Sequence, residues 1–274
     1  MIRTVASAVE RLLTPDIVTG LYQVGVATAL ALVVFAVAAR AGLAVTREFG
    51  VSLVRGFVQV VAMGSLVGVL LTLELVWSGF VLVFMIGGAT WISRNRGADL
   101  PGVTRASFVA ISLGAGLVIT TMVAAGVIER RAEALLPVGS MIIANAMKIN
   151  SLALDRFQRE VVDNRHRIET GLALGWSPSR VVTEHVEDSI RASLIPTIDS
   201  LKSLGWVWIP GIMTGMILAG ENPLYAALYQ FVIMAMIFAA GGLTSTTTSL
   251  LVSHNVFTDA DQLRGVGDRT EAES

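Results

Sequence analysis

Apolar residues fall along this chain in long runs separated by short polar segments. The runs centre on residues 17–39, 56–73, 75–92, 106–128, 138–154, 201–219 and 223–252. A helix rises ~1.5 Å per residue, so about 20 residues cross a ~30 Å hydrocarbon layer. The pattern therefore predicts an all-α, polytopic membrane protein with about seven transmembrane helices. The sixth run is short and must borrow its first turn from the helix before it. Only Glu74 and its neighbours separate the second and third runs, which predicts a tight hairpin there. Ahead of the first run, Ile2, Val5, Val9, Leu12 and Leu13 recur at helical spacing. That suits either a short interfacial helix or a frayed terminus.

Composition strengthens this picture. Of 274 residues, 54% are apolar and 15% charged, where a soluble domain carries roughly a quarter charged residues. The mean hydropathy is +0.70. A net charge of −1 argues against nucleic acid as a partner. The chain has no cysteine, which excludes disulfides, thiolate metal sites and cysteine nucleophiles. The first 16 residues lack the apolar core of a signal peptide, and the run that follows is too long for one.

Basic residues set the expected orientation. Arg40, Arg47 and Arg55 follow the first run, and Arg94, Arg96 and Arg105 follow the third. Arg156, Arg159, Arg165, Arg167, Arg180, Arg191 and Lys202 follow the fifth, with Arg264 and Arg269 in the tail. Arg3, Arg11, Arg130 and Arg131 fall on the other side. Strict alternation of seven spans reproduces this division, with the N-terminus outside and the C-terminus in the cytoplasm.

The transmembrane domain is expected over 1–257, followed by a polar, disordered tail at 258–274. Within the domain, residues 155–200 form a cytoplasmic arm of two amphipathic helices. Phe157, Val161 and Ile168 stripe a helix that continues the fifth span, and Gly171 and Gly175 can end it. Ser177 reads as an N-cap with Pro178 at the first helical position. Val182, Val186, Ser189, Ile190, Ser193 and Leu194 then make an apolar face, and Glu187 and Arg191 stand four apart on the polar one. This second helix runs towards Pro196 and returns to the membrane. The elbow at 171–178 presents Leu172, Leu174 and Trp176 either to a docking partner or to the arm's own helices.

These residues carry a resemblance. Glu169 and Gly175, at their spacing, resemble the start of the EAA loop of ABC-importer permeases, although the proline comes later, at Pro196. A closer similarity is to the FetB family of iron-export ABC permeases, which also resemble plant aluminium-tolerance permeases. It is carried by the elbow LALGWSP at 172–178, the returning helix DSIRASLIPTIDS at 188–200 and PGIMTGMILAG at 210–220. Pro223, Tyr229 and Gln230, Arg55 with Gln59, and PVGSMIIANAM at 137–147 fit as well. The resemblance implies an ABC permease subunit that exports a metal ion such as iron, or a related small solute. ATP hydrolysis is then assigned to a separate cytoplasmic ABC ATPase, with ATP-Mg bound there and no cofactor in this chain. The docking elbow would comprise Glu169, Leu172, Leu174, Gly175, Trp176 and Pro178. The chain itself has no GxxxxGK[ST] loop to cradle phosphates. A second copy of the chain and membrane lipid complete the expected partners.

Candidate pathway and hinge residues follow. Gly211 and Gly215 form a GxxxG step closed by Gly220, suited to a seam between copies, a moving contact or ordinary packing. Pro210 kinks its span, and Pro196 and Asp199 mark the returning helix. Met213 and Met216 share nearly one face beside Thr214, and Met141 and Met147 lie in the fifth run; thioethers favour soft ions over Fe(II) and also fill gaps in packing. Asn145, Lys148 and Asn150 lie at membrane depth, where polar groups are costly. Lys148 departs from the family pattern and suits snorkelling to the cytoplasmic surface, a pairing with Asp155 or an anionic substrate. Gln59, one turn from Arg55, is a candidate for the same vestibule. The hydroxyl run at 244–249 would bend its helix or line a wet cavity. His166, His185 and His254 form no ligand set, so any metal site is unknown. An ion-coupled secondary transporter is the main alternative; a membrane-embedded enzyme lacks a nucleophile cluster.

Overall fold

A computed structural model of the chain describes residues 15–42, 46–72 and 74–266. The expected interfacial helix at 2–13 and residues beyond 266 lie outside the described residues. Among the described residues the regular elements are helices, apart from two isolated bridges. They are α1 (Pro15–Arg40), α2 (Thr46–Leu71), α3 (Leu75–Ser93), α4 (Val103–Ile111), α5 (Leu117–Ala124), α6 (Ala132–Asp163), α7 (Arg165–Ala173), α8 (Pro178–Ser203), α9 (Gly211–Leu218) and α10 (Pro223–Asn255). A short 3₁₀ turn follows α3, and a π turn at Ser112–Gly116 joins α4 to α5.

The chain divides into two compact units, Met1–Gly68 and Val69–Ser274. In the first, α1 buries no residue, and its apolar side chains, such as Val33 and Val34, are exposed. Phe35 stacks on Phe49 with ring centroids 6.3 Å apart. Such a face suits lipid or another apolar protein surface.

Among the described residues six runs are long and apolar enough to cross a membrane: Pro15–Arg40, Phe49–Leu71, Leu75–Gly97, Val103–Ala124, Ala132–Asp163 and Pro223–Asn255. The span expected at 201–219 is not a continuous helix. Instead α8 continues past Pro196 to Ser203, residues 204–210 leave the helix, and α9 covers only Gly211–Leu218. At ~1.5 Å per residue α9 is about 12 Å long, too short to cross alone. Gly205, at φ +73°, turns the chain out of α8. Gly220 ends α9 in a Schellman turn: its N–H donates to Ile217 O and that of Glu221 to Met216 O, each at 3.0 Å. Asn222 then caps α10, its Oδ1 accepting from Leu224 N at 2.9 Å.

Side-chain pairs fix the helix directions in the second unit. Ser189 meets Ser249 and Ser193 meets Ser245, so α8 runs antiparallel to α10. Asn145 reaches Ile237 O and Asn150 meets Thr248, so α6 runs parallel to α10. Two apolar clusters result. One holds Ile86, Ile119, Ile142, Ile233 and Met236; the other holds Leu154, Phe157, Ile168, Val182, Val252 and Val256.

A buried polar layer separates them. Asn150 donates through Nδ2 to Ser93 Oγ at 2.8 Å and to Ser107 Oγ at 3.0 Å, and its Oδ1 accepts from Thr248. Ser193 and Ser245 stand 2.7 Å apart and Ser189 and Ser249 3.2 Å apart. Within the hydroxyl run of α10, Ser245, Thr248 and Ser249 are thus spent on contacts between helices, Thr244 bonds back along its own helix to Ala240 O at 2.8 Å, and Thr246 is exposed. Every hydroxyl in the layer is satisfied, which makes it a specific lock and not a wet channel.

The tail is corrected in part. Residues 258–266 fold back: Phe257 bridges Leu263, and Phe257 and Val266 pack into the second cluster. Apolar Val256, Phe257, Leu263 and Val266 explain why this stretch is ordered despite its polar neighbours.

Candidate functional site: an interhelical cavity and a projecting elbow

The elbow forms as its sequence dictates. Gly175, at φ +85°, closes α7: its N–H donates to Leu172 O at 2.9 Å and that of Trp176 to Gly171 O at 3.0 Å. Pro178 begins α8, where its missing N–H costs nothing. Ser177 has the backbone of an N-cap, but its hydroxyl pairs with Ser179 Oγ at 3.2 Å instead of capping. Gly171 is buried against Val181 because a larger residue would separate α7 from α8.

The expected docking residues separate into supports and tip. Leu172 packs on the second apolar cluster. Leu174 is 71% exposed and Trp176 is exposed beneath the Arg180 guanidinium, 4.8 Å from its ring. Glu169 holds Arg165 at 2.9 Å, and Arg167 reaches across to Glu184 at 3.2 Å, tying the two arm helices together. Glu160, near the end of α6, and His185 of α8 meet at 3.3 Å. Glu187 and Arg191 do not pair, and Arg191 is exposed.

A cavity of about 1030 Å³ opens between α6, α8, α9 and α10. Of the expected residues it takes in Met141, Asn145, Met147, Lys148, Pro196, Pro210 and Gly211. Pro196 sits inside α8, where it removes the donor that Ala192 O would otherwise receive. The expected Lys148–Asp155 pair does not form: Asp155 pairs with Arg159 at 2.9 Å, and Lys148 is exposed.

Other expected residues lie elsewhere. Asp199 faces outward near Lys202, 4.0 Å away. Met213, Thr214 and Met216 are outside the cavity lining, and Thr214 Oγ1 donates to Pro210 O at 3.1 Å. Gly215 and Gly220 are exposed, and no atom of the second unit crowds Gly211 or Gly215. Gln59 and Arg55 are exposed on α2 in the first unit.

Sequence reasoning missed Gln230 as a lining residue. It is 3% exposed, lines the cavity, and its Oε1 has no hydrogen-bond partner. A carboxamide in an otherwise apolar span was the signal available. Trp208, Thr197, Ser200, Ser151, Ser193 and Arg96 also line it. Among the described residues no group of three or more His, Asp or Glu comes together to hold a metal ion.

Helices crossing a membrane around a cavity, with an apolar-tipped arm projecting from them, define a multi-pass membrane permease. The chain belongs to the family described as Uncharacterised protein family (UPF0014), which matches residues 21–257. It is 30% identical over 240 residues to the Probable iron export permease protein FetB of Escherichia coli K12, covering 86% of this chain and 93% of that one. It is 28% identical over 249 residues to the UPF0014 membrane protein STAR2 of Oryza sativa subsp. japonica, covering 90% and 87%. Protein ALUMINUM SENSITIVE 3 of Arabidopsis thaliana is 28% identical over 216 residues, 78% of each chain. No solved structure matches the chain at a significant level.

Proposed function

We propose that this chain is the permease subunit of an ATP-binding-cassette transporter, exporting a metal ion such as iron or a related small solute. A separate cytoplasmic ATPase, with its ATP-Mg, supplies the energy. The observation that carries the reading is the arm: α7 and α8 project an exposed Leu174 from a turn closed by backbone bonds at Gly175 and Trp176 and braced by Gly171 packed on Val181. An exposed leucine on a braced turn gains by burial in a partner's cleft, and bracing means little ordering cost on binding. The similarity to an export permease supports the direction and the cargo class.

The arginine-rich ends of α3, α4 and α6 lie together with the arm, and Arg130 and Arg131 lie at the opposite end. That supports an arm in the cytoplasm, with the N-terminus outside and the C-terminus inside. Exposed Gly211 and Gly215 leave a close-packing surface for a second copy.

The broken crossing at 204–210 gives a second reading some support, because discontinuous helices recur in ion-coupled secondary transporters. The two readings differ at the elbow. Replacing Leu174 by aspartate should abolish co-purification with the ATP-binding subunit, weakening association by at least about tenfold. Retained association would remove the docking assignment.

A further inference from the structure

We propose that the fold-back at 258–263 is a second docking element: together with the elbow it walls a groove that receives a basic side chain of the ATP-binding subunit. This deepens the permease reading and rests on it, since the partner is the one proposed above for the elbow.

The fold-back is a closed turn. Thr258 N–H donates to Gln262 O at 2.8 Å, and Asp261 N–H donates to Thr258 O at 3.0 Å. Thr258 Oγ1 accepts from Gln262 N–H at 3.1 Å, and Arg264 N–H donates to Val256 O at 2.8 Å. The tip, 259–262, is exposed, while Val256, Phe257 and Val266 at its base are buried. That base packs in the apolar cluster that also holds Phe157 of α6, Ile168 of α7 and Val182 of α8. Turn and arm therefore share one core, and a partner touching both meets surfaces that are already ordered.

Between turn and elbow lies a groove of about 750 Å³. Leu172, Trp176 and Leu263 give it an apolar floor, and Glu169, Asp261 and Gln262 line it with polar groups. The exposed Leu174 projects beside it, between the lining residues Ala173 and Gly175. A partner that buries Leu174 therefore meets the groove as well.

Charge selects the occupant. Arg165 holds Glu169 at 2.9 Å. The carboxylates of Asp259 and Asp261 are exposed and, among the described residues, have no partner. The cation on the turn, Arg264, directs its Nε back to Phe257 O at 3.0 Å. An apolar floor beside an unpaired carboxylate suits lysine or arginine, whose methylenes cover the floor while the charged end meets Asp261. A lipid chain would leave that carboxylate facing hydrocarbon. A second copy docked by this face on itself would set carboxylate against carboxylate. A soluble partner with a basic residue beside an apolar cleft fits both Leu174 and the groove.

The test uses the full chain in detergent, alone and with its ATP-binding subunit. The chain has no cysteine, so Ala260→Cys provides a single labelling site at the tip. Its reaction with a fluorescent maleimide should be rapid in the chain alone and at least about tenfold slower in the complex. Arg131→Cys, at the opposite end, should react equally in both. Asp261 has φ +56°, a conformation glycine adopts without strain, so Asp261→Gly removes the carboxylate while keeping or raising the melting temperature. It should nevertheless weaken association about fivefold at low salt and flatten its salt dependence. Asp261→Lys should weaken association about tenfold or more. Labelling of Ala260→Cys unchanged by the bound subunit would overturn the proposal, as would wild-type affinity in Asp261→Gly and Asp261→Lys. Loss of association in Leu174→Asp would in either case leave the permease reading standing. Slow labelling of the chain alone would assign the groove to this chain or a second copy, and would also overturn the proposal.

Discussion

Replacing Gly114 by alanine should destabilise the folded chain by about 3 kcal/mol, near the upper end for overpacking. A methyl group there would lie 2.6 Å from the Ala240 carbonyl oxygen and 3.0 Å from Thr244 N, and would collide with Thr244 Oγ1. The first two are backbone atoms of α10, so no rotamer change relieves the contact. The π turn at Ser112–Gly116 and α10 would have to part, and with them the buried layer that includes Ser107 and Thr248. Gly116, two residues on, supplies the control, since nothing lies within 4 Å of an added methyl there. Gly116→Ala should change stability by no more than about 0.5 kcal/mol. Thermal unfolding in detergent, followed by size-exclusion, distinguishes the two. Equal melting temperatures would mean that the helices do not approach as closely as described.

Asn150→Leu should cost about 2–4 kcal/mol, although leucine is the more apolar side chain. Asn150 is wholly buried and joins α3, α4 and α10 through Ser93, Ser107 and Thr248. Leucine strands three hydroxyls, which fall back on weaker bonds to their own helices. The effect should be non-additive. Thr248→Val alone should destabilise, and in the Asn150→Leu background it should cost about 1 kcal/mol less, because its partner is already gone. Additive costs would show that the layer does not act as a connected network.

Much of this architecture was legible in the sequence because length and hydropathy alone decide it. The spans at 17–39, 75–92 and 223–252 lie within helices that extend a few residues further, and Gly175 with Pro178 marked the elbow. The sixth crossing was misread because hydropathy averages over residues and is blind to backbone conformation. Trp206, Val207, Trp208 and Ile209 are as apolar as a helix would need, yet Gly205 and Pro210 bracket them in irregular backbone. The hydroxyl run at 244–249 could not be assigned either, since its partners Asn150, Ser189 and Ser193 are distant in sequence. Lys148 could be placed on its helix, but its neighbour Asp155 turned out to be committed to Arg159. Gln230 was visible only as part of a family pattern, because its missing partner is a property of packing.

The same positions frame a mechanical account. The arm and its apolar cluster meet the membrane cluster across the satisfied polar layer, and α6, α8 and α10 pass through both. A push on the elbow therefore reaches the cavity along continuous helices, with Pro196 in α8 as the place where one backbone bond is already absent. Coupling of this kind needs a driver outside the chain.

The most direct measurement is solute movement in proteoliposomes containing this chain with and without its ATP-binding subunit, each with and without ATP. The expected result is transport only when both subunits and ATP are present, lost in Leu174→Asp while the protein remains folded. Transport by this chain alone, driven by an ion gradient and indifferent to ATP, would contradict it.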